Sequence, residues 1–444
     1  MTTRPTETGW ADLTSSERRE RRFASWLQAP GTNFVSTEAQ AAYNGRVKRL
    51  VDAIKLQKPD RVPVTPFLGE FVATYAGYTQ KEITYDTDKA IDAATRCTFE
   101  LDFDANTPAG APQGRIWEIL ENRQRNWPGG GLPDDGSPQF IEDEYMKADE
   151  YEAFTMDETD FRWRKYLPRI WGAAGGLAKM DMTGANIGQF GLPEVQTALH
   201  RLMEAGVEAR ESGARIAAAN RKLTESGYPD FRSAGMFGIA PFDYLGDNLR
   251  GQRGIALDMY RQPERLLEAI IMFTNKRLHS IRQNAGNVAP GSSPIVGFPL
   301  HKGADGFMSD AQFRTFYWPS LRQIVLALID EGFVPELRTQ GSYDSRLEAI
   351  LDLPRGTVIW HFYMTNIERA RDAIGKTQCI VGSVPQSLLQ VGTPEDVESY
   401  AKRIIGIAGK DGGFMLSSPG ALGKEARTEN VRALVAAAKK FGVY

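Results

Sequence analysis

Apolar residues follow two alternating patterns along this chain. Short runs rich in Val, Ile and Phe, such as residues 294–301 (PIVGFPLH) and 357–363 (TVIWHFY), are typical of buried strands. Stretches with apolar residues three or four positions apart, such as residues 193–227 and 428–442, are typical of amphipathic helices. About eight such strand–helix units follow one another between residue 45 and the end of the chain.

Repeated strand–helix units predict a parallel sheet covered by helices. About eight units fit a (β/α)₈ barrel of the α/β class better than an open doubly wound sheet. The chain has no GxGxxG sequence after a predicted strand and no Walker loop, which argues against a nucleotide-binding fold. We therefore predict one barrel domain over residues 45–444, with an N-terminal extension, residues 1–44, wrapped outside it.

Residues 107–165 interrupt the alternation. They are rich in Gly, Pro and acidic residues, as in WPGGGLPDDGSP and EDEYMKADEYEAF. This composition predicts a long insertion made of loops with a short hairpin. Because barrels accept insertions in the loops of the catalytic face, we expect the insertion to form part of the rim around the barrel mouth.

The composition narrows the classes of function. The 444 residues include 53 Lys and Arg against 56 Asp and Glu, so the net charge of −3 lacks the basic excess of nucleic-acid binders. Two cysteines, Cys97 and Cys379, cannot form a disulfide framework or a four-cysteine zinc site. The polar N-terminus has no signal-like apolar core, and no stretch approaches the ~18–20 apolar residues of a membrane span. We expect a cytoplasmic protein that acts on a small molecule.

Candidate functional residues follow from the predicted barrel. Active sites of such barrels lie at the carboxyl ends of the strands, so polar residues directly after the apolar runs are expected to converge. From these positions we predict catalytic roles for His361, Asp104, Asp243 and Tyr363, and substrate binding by Glu70, His301, Arg338, Gln340 and Ser383.

Structural roles stay open for the same positions. A strand-end aspartate is often the N-cap of the next helix, and Arg338 has Glu336 and Asp344 as possible ion-pair partners. We expect His361 at the rim of its strand with Gln340 beside it, 21 positions earlier in the chain. Neutral Gln does not raise the pKa of an imidazole, so the ring should be largely neutral. No spacing is a strong metal signature, and we predict no metal site.

Five segments carry a resemblance to the uroporphyrinogen decarboxylase superfamily, which also contains cobalamin-linked methyltransferases. Residues 236–251 (MFGIAPFDYLGDNLRG) resemble the family's Gly-Phe-x-x-x-Pro-Phe-Thr stretch, with Asp243 where Thr is usual and Met236 where Gly is usual. The other four resemble the opening helix and first strand, two later barrel helices and the final helix: residues 46–64, 306–325, 382–406 and 423–438.

Departures from the family's patterns bear on the reaction. The arginines that meet a polycarboxylate porphyrinogen are absent, and Glu70 lies in that region. The His-x-Cys zinc ligands of the coenzyme M methyltransferases correspond to Arg338-Thr339-Gln340, so tightly bound zinc is not expected. In some O-demethylating methyltransferases a Glu-x20-His pair binds metal, and here Gln340 and His361 have that spacing.

The resemblance implies three hypotheses. The favoured one is a methyltransferase or O-demethylase that moves a one-carbon group from a small, possibly methoxyaromatic, substrate to a corrinoid protein. No corrinoid-binding Asp-x-His-x-x-Gly segment is present, so a partner would have to supply this cofactor. The second is a decarboxylase or lyase with Asp104 or Asp243 as proton donor and Arg338 as anchor. The third is a non-catalytic partner subunit. The resemblance also implies a homodimer.

Overall fold

A computed structural model describes residues 9–181, 186–232 and 238–444. Within these ranges the strands are β1 (Arg125–Pro128), β2 (Gly131–Leu132), β3 (Gln139–Phe140), β4 (Ile295–Leu300), β5 (Val334–Thr339), β6 (Ile359–Phe362), β7 (Cys379–Ser383) and β8 (Phe414–Ser417).

The α-helices of the described residues are α1 (Ser15–Gln28), α2 (Thr37–Ile54), α3 (Phe71–Ala76), α4 (Gln80–Tyr85), α5 (Thr87–Leu101), α6 (Gly114–Leu120), α7 (Tyr151–Met156), α8 (Glu158–Phe161), α9 (Leu167–Ile170), α10 (Pro193–Glu225), α11 (Pro241–Leu245), α12 (Gly251–Arg261), α13 (Pro263–Asn284), α14 (Asp310–Gln312), α15 (Trp318–Asp330), α16 (Ile367–Ile374), α17 (Gln386–Val391), α18 (Pro394–Ile404) and α19 (Thr428–Phe441). Among the helices described, none has both the length and the apolar character needed to cross a membrane.

The second half of the chain forms a five-stranded parallel sheet in the order β4-β5-β6-β7-β8. All five strands coincide with apolar runs from which strands were predicted. Almost every strand residue is buried, as expected for a parallel sheet with both faces covered. The register pairs Gly297 with Glu336 and Arg338 with His361, which fixes the polar side chains considered below.

Backbone hydrogen bonds extend this sheet on both sides. Val64 forms a parallel bridge with Leu416 of β8, and the Asp104 N–H donates to the Val64 carbonyl (2.9 Å). Further along, Asn106 N–H donates to Pro229 (2.9 Å), and Gly238 N–H donates to Gly297 of β4 (3.1 Å). The segments thus follow one another in the order of a (β/α)₈ barrel, and the predicted α/β fold class is confirmed. Residues 231–241 (FRSAGMFGIAP) form another apolar run from which a strand is predicted, and residues 233–237 of that run lie outside the described residues.

Apolar side chains fill the amino-terminal end of the sheet's inner face. Ile295, Val334, Ile359 and Met415, one from each of four strands, pack in one cluster with side chains of α2. Side chains that alternate along a strand point to opposite faces, so Glu336 shares the inner face with Val334 and lies one step nearer the carboxyl ends. Helix α2 therefore closes the lower end, and the polar layer lies above an apolar floor.

The N-terminal region packs against this lower end. The Tyr43 hydroxyl donates to the Trp26 carbonyl (2.9 Å), and both side chains are buried. The Arg22 guanidinium donates to the carbonyls of Glu331 and Ala285 (both 2.8 Å), which ties α1 to the body of the fold. Because α2 begins at Thr37, the boundary predicted after residue 44 falls inside a helix. The division into an extension and a barrel domain stays a prediction.

Residues 107–165 form a small sheet, ordered β2-β1-β3, together with short helices. The loop between β2 and β3 reaches the barrel. Ser137 donates to the Glu70 carboxylate (2.7 Å), and Lys424, which follows β8, donates to the Asp135 carbonyl. These contacts lie beyond the carboxyl ends of the first and last barrel segments, which is the rim where the insertion was expected.

Asp104 is held in a buried network of ion pairs. Its carboxylate accepts hydrogen bonds from the guanidinium of Arg49 (2.6 Å), from that of Arg61 (2.7 and 2.8 Å) and from the Val64 N–H (2.8 Å). These contacts join α2 to the first two barrel segments and leave the carboxylate without access to a substrate. These partners are those of a structural residue, and the catalytic role of Asp104 stays an untested prediction.

The first prediction concerns this network. Asp104→Asn removes the negative charge between two guanidinium groups, and breaking a buried ion pair on one side costs about 3–5 kcal/mol. Urea denaturation should show a loss of unfolding free energy of that size. Asp88→Asn, which removes an exposed partner of Arg215, is the matched control and should remain close to wild type. Wild-type stability of Asp104→Asn would contradict the structural assignment.

Candidate active site

A buried ion pair lies in the polar layer inside the sheet. The Glu336 carboxylate accepts two hydrogen bonds from the Arg232 guanidinium, at 2.5 and 2.7 Å. Burial alone would raise the pKa of Glu336, but the charge of Arg232, followed by contacts with His361 and Arg338, holds it well below its ordinary value. Glu336 is therefore ionised at neutral pH.

Gly297 makes room for this ion pair. A Cβ atom at that position would lie 3.1 Å from the Arg232 Cδ and 3.4 Å from a Glu336 carboxylate oxygen. A larger residue on β4 would therefore crowd the two side chains that pair across the barrel interior.

His361 lies inside the layer and not at the rim. Only 1% of its side chain is exposed, and its Nε2–H donates to the Ser418 carbonyl (2.9 Å). Nδ1 lies 3.5 Å from a Glu336 carboxylate oxygen, beyond an ordinary hydrogen bond. Burial lowers the pKa of His361, an effect that outweighs the opposing influence of Glu336, so the ring is neutral at pH 7.

Two expectations about His361 are thereby corrected. The rim position was wrong, and the neighbour on the preceding strand is Glu336 instead of Gln340. The neutral ring was expected from a neutral neighbour, whereas its cause is burial. His361 Nε2 is bound to a carbonyl, and the buried Nδ1 faces Glu336 without a hydrogen bond, so the ring has the contacts of a positioning residue.

Arg338 supplies a positive charge with little compensation. No described residue accepts a hydrogen bond from its guanidinium, and its nearest carboxylate oxygen, on Glu336, lies 4.0 Å from Nε. Its side chain is 11% exposed. Arg338 and Arg232 each lie 5.1 Å from the centre of the Phe67 ring. Two guanidinium groups, one carboxylate and a neutral imidazole leave the layer with an excess charge of +1.

A cleft of about 570 Å³ opens above this layer. Its walls come from the ends of β5, β6, β7 and β8, and the residues that line it are Phe67, Gln340, Gly341, Tyr363, Met364, Pro385, Gln386, Pro419, Gly420 and Ala421. The Tyr363 ring packs edge-on against His361, 5.0 Å between centroids. Burial raises the pKa of Tyr363 to about 12, so its hydroxyl stays protonated at pH 7.

A second cavity, of about 390 Å³, lies on the other side of Phe67. Arg232 and Trp117 contribute to its lining, with small and apolar residues of the first two barrel segments and of the insertion. The Phe67 side chain lies between the two cavities and covers the guanidinium groups below.

Asp243 and His301 belong to a separate polar cluster at the end of β4. Asp243 is fully buried and accepts hydrogen bonds from the Tyr317 hydroxyl (2.7 Å) and from the N–H groups of His301 (3.0 Å) and Lys302 (2.9 Å). Burial, with a smaller contribution from Asp247, raises the pKa of Asp243 to about 6. Its carboxylate is occupied, so its contacts fit a positioning role better than the predicted catalytic one.

Two further predicted residues have other partners. The Glu70 side chain bonds with Ser137 of the insertion, and the Ser383 hydroxyl donates to the Phe362 carbonyl (2.8 Å). Of the predicted set, Tyr363 and Gln340 line the cleft, and His361 and Arg338 lie in the buried polar layer next to it. Asp243 holds the backbone of His301, and Glu70, Asp104 and Ser383 have separate contacts.

Sequence reasoning missed Arg232 and Asp247, and it collected Glu336 among the strand-end polar residues but left it out of the predicted site. One signal was available. Glu336 and Arg338 alternate within an otherwise apolar strand, so both had to point to the same face of a buried sheet. Arg232 and Asp247 lie in irregular or turn segments, whose side-chain directions no periodicity fixes.

The residues of this layer do not fit a zinc site like that of the coenzyme M methyltransferases. Among the described residues, no group of three or more His, Cys, Asp or Glu side chains could hold a metal ion. Glu336 is occupied by Arg232, His361 Nε2 is occupied by a carbonyl, and two guanidinium groups would repel a divalent cation.

Comparisons with known proteins bear on the family resemblance. A profile described as uroporphyrinogen decarboxylase (URO-D) matches residues 234–441. Among curated proteins, none shows significant sequence similarity to the chain. Among solved structures, a methyltransferase from Methanosarcina mazei superposes with a TM-score of 0.54 at 16% identity, over 88% of this chain and 98% of that one. That likeness supports the fold. The match over residues 234–441 confirms the resemblance to the uroporphyrinogen decarboxylase superfamily for that part of the chain.

Proposed function

We propose that this protein is an enzyme that transfers a methyl group from a small anionic ether to a corrinoid carried by a separate protein. The match of residues 234–441 to the uroporphyrinogen decarboxylase family model and the likeness to a methyltransferase support the general class. The observation that carries the proposal is the Arg338 guanidinium, which has no carboxylate within ordinary hydrogen-bond distance and lies under the ring of Phe67, a residue that lines an open, partly aromatic cleft.

The arrangement orients a substrate. Arginine binds carboxylates through two parallel N–H groups, so an aromatic acid would enter with its carboxylate toward Arg338. Phe67 and Tyr363 offer ring surfaces along the cleft. The far end of such a substrate, which carries the methyl ether, would then face the mouth, where a partner protein can reach it.

The chemistry needs two events at the ether. The bond between the methyl carbon and the oxygen breaks as the carbon passes to the corrinoid, and the oxygen leaves with the bonding electrons and takes a proton. A corrinoid bound to its own protein supplies the nucleophile. This chain's residues bind the acid group, stack against the ring and keep the ether oxygen near a proton donor. Glu336 and His361 act by holding Arg232 and the strand ends in place.

Decarboxylation fits the geometry less well. A carboxylate that is to leave as CO₂ is favoured by surroundings that destabilise its charge, whereas Arg338 stabilises it. The predicted proton donors, Asp104 and Asp243, are both occupied by protein groups. Decarboxylase or lyase activity and a non-catalytic partner role therefore become alternative outcomes of the test.

The second prediction tests the reaction. The protein, mixed anaerobically with free cob(I)alamin and 4-methoxybenzoate, should produce the absorbance change of methylcobalamin. Neutral methoxybenzene should react far more slowly because it lacks the group that binds Arg338. Arg338→Gln should reduce kcat/KM for the acid about 10–100-fold, since hydrogen bonds to charged groups contribute about 1.5–3 kcal/mol.

Arg322→Gln is the matched control, because Arg322 pairs with Asp352 at the surface and should not affect turnover. Release of CO₂ from the acid without methyl transfer would support the lyase alternative. No reaction across a panel of aromatic acids and ethers would support the non-catalytic alternative.

The third prediction concerns the ion pair that supports the anchor. The pKa of Glu336 is lowered in the folded state, so its ionised form stabilises the fold above the unfolded carboxyl pKa of about 4.3, and this contribution is lost as the pH falls. Glu336→Gln should lose about 3–5 kcal/mol of unfolding free energy at pH 7. The gap to wild type should narrow as the pH falls from about 5 toward 3.

Glu368→Gln, at an exposed ion pair with Arg403, is the control. A gap between wild type and Glu336→Gln that stays constant over this pH range would contradict the ionised buried pair.

A further inference from the structure

We propose that His301, oriented by Asp247, is the proton donor of this enzyme and delivers its proton from Nε2 to the leaving oxygen of the substrate. This inference rests on the proposed methyl transfer and names the acid that the reaction requires. The pair is separate from the Glu336 and His361 layer, since it lies at the end of β4.

The geometry is that of a histidine held by a carboxylate. His301 Nδ1 lies 2.5 Å from an Asp247 carboxylate oxygen, and the other carboxylate oxygen of Asp247 accepts a hydrogen bond from the Lys302 ammonium group. Asp247 lies in a π-helical turn, Gly246–Arg250, that follows α11. An acceptor at Nδ1 fixes the ring orientation and leaves Nε2 to act on a substrate.

The backbone under His301 is held as firmly as its ring. The N–H groups of His301 and Lys302 both donate to Asp243, which also accepts a hydrogen bond from Tyr317. Asp243 thus works as a positioning residue, and the buried carboxylate fixes the chain where β4 ends.

His301 has the exposure that Asp104, Asp243 and His361 lack. Its side chain is 35% exposed, and no described residue bonds its Nε2. The Gln340 N–H donates to the Leu300 carbonyl (3.0 Å), so His301 follows β4 at the level where Gln340 follows β5. Gln340 lines the cleft, and adjacent strands lie ~4.8 Å apart. His301 therefore lies at the mouth, whereas His361 is enclosed.

The charges around the ring favour its acid form. Burial lowers the pKa of His301, but the hydrogen bond and charge of Asp247, with the charge of Asp243, outweigh burial and the repulsion from Lys302, so the pKa is raised. A larger fraction of protonated imidazole is then present at neutral pH. As the methyl–oxygen bond breaks, the oxygen takes the Nε2 proton, and the neutral ring regains a proton from solvent.

The fourth prediction uses the small number of histidines. The chain has four, so His301→Gln and His200→Gln assign the imidazole proton resonances of His301 and of an exposed helix histidine. In an NMR titration of the full chain, His301 should titrate above the ordinary pKa of histidine. Asp247→Asn should shift the His301 titration to lower pH, whereas Asp352→Asn, at the surface, should not. A His301 titration that Asp247→Asn leaves unchanged would overturn the pairing.

Activity supplies the second measurement. With cob(I)alamin and 4-methoxybenzoate, His301→Gln should lower kcat ~10²–10⁴-fold, and His200→Gln should match wild type. Asp247→Asn should move the descending alkaline limb of the kcat–pH profile to lower pH, which a merely structural loss would not do.

The failures can be told apart. Methyl transfer by His301→Gln at the wild-type rate overturns the role of His301 and leaves the proposed function intact. Absence of methyl transfer by the wild type refutes the proposed function, and the titration then decides by itself whether His301 and Asp247 form the inferred pair.

Discussion

A carboxylate inside a barrel is stable only when nearby cations and hydrogen bonds replace its water, because the desolvation penalty is several kcal/mol for each ion. Glu336 meets that condition through the bidentate contact with Arg232. The pair links β5 to the segment that contains Arg232. Both side chains lie close to Gly297 of β4, where the absence of a Cβ atom leaves room for them. His361 of β6 lies against the same carboxylate, so one ionised group sets the arrangement of three consecutive strands.

This arrangement determines which charge is left for a substrate. The charge of Arg232 is balanced by Glu336, and His361 is uncharged. Arg338 therefore retains an unbalanced positive charge under the Phe67 ring. The polar layer therefore favours an anion and disfavours a metal ion. The separate cluster at the end of β4 adds a titratable group to this anion-binding layer. Of the two histidines predicted to act at the site, His301 is partly exposed and His361 is buried.

Much of the fold could be predicted from the sequence, because the apolar runs that became β4–β8 are continuous and helices separate them. The site was harder. Gln340 and His361 have a family-like spacing, yet the register pairs Arg338 with His361 and turns Glu336 toward the imidazole. Such contacts depend on the strand register and on which side chains point into the barrel. Neither can be inferred from the number of residues between two positions in the sequence.

The aspartates illustrate the same limit. Asp104 and Asp243 were predicted to be catalytic because each follows an apolar run, but a strand-end position does not specify which partners surround a carboxylate. In the fold, Asp104 meets two arginines of the lower barrel segments and Asp243 meets backbone N–H groups. Both hold the chain in place, and the side chains left open to the cleft are those without strong internal partners.

The central claim is that Arg338 gives the cleft its preference for an anion. Isothermal titration calorimetry with benzoate and with benzamide, which has nearly the same shape and no charge, tests it directly. Wild type should bind benzoate and bind benzamide much more weakly, and Arg338→Gln should lose the difference between the two. Equal affinity of the wild type for both compounds, or an unchanged preference in Arg338→Gln, would contradict the account.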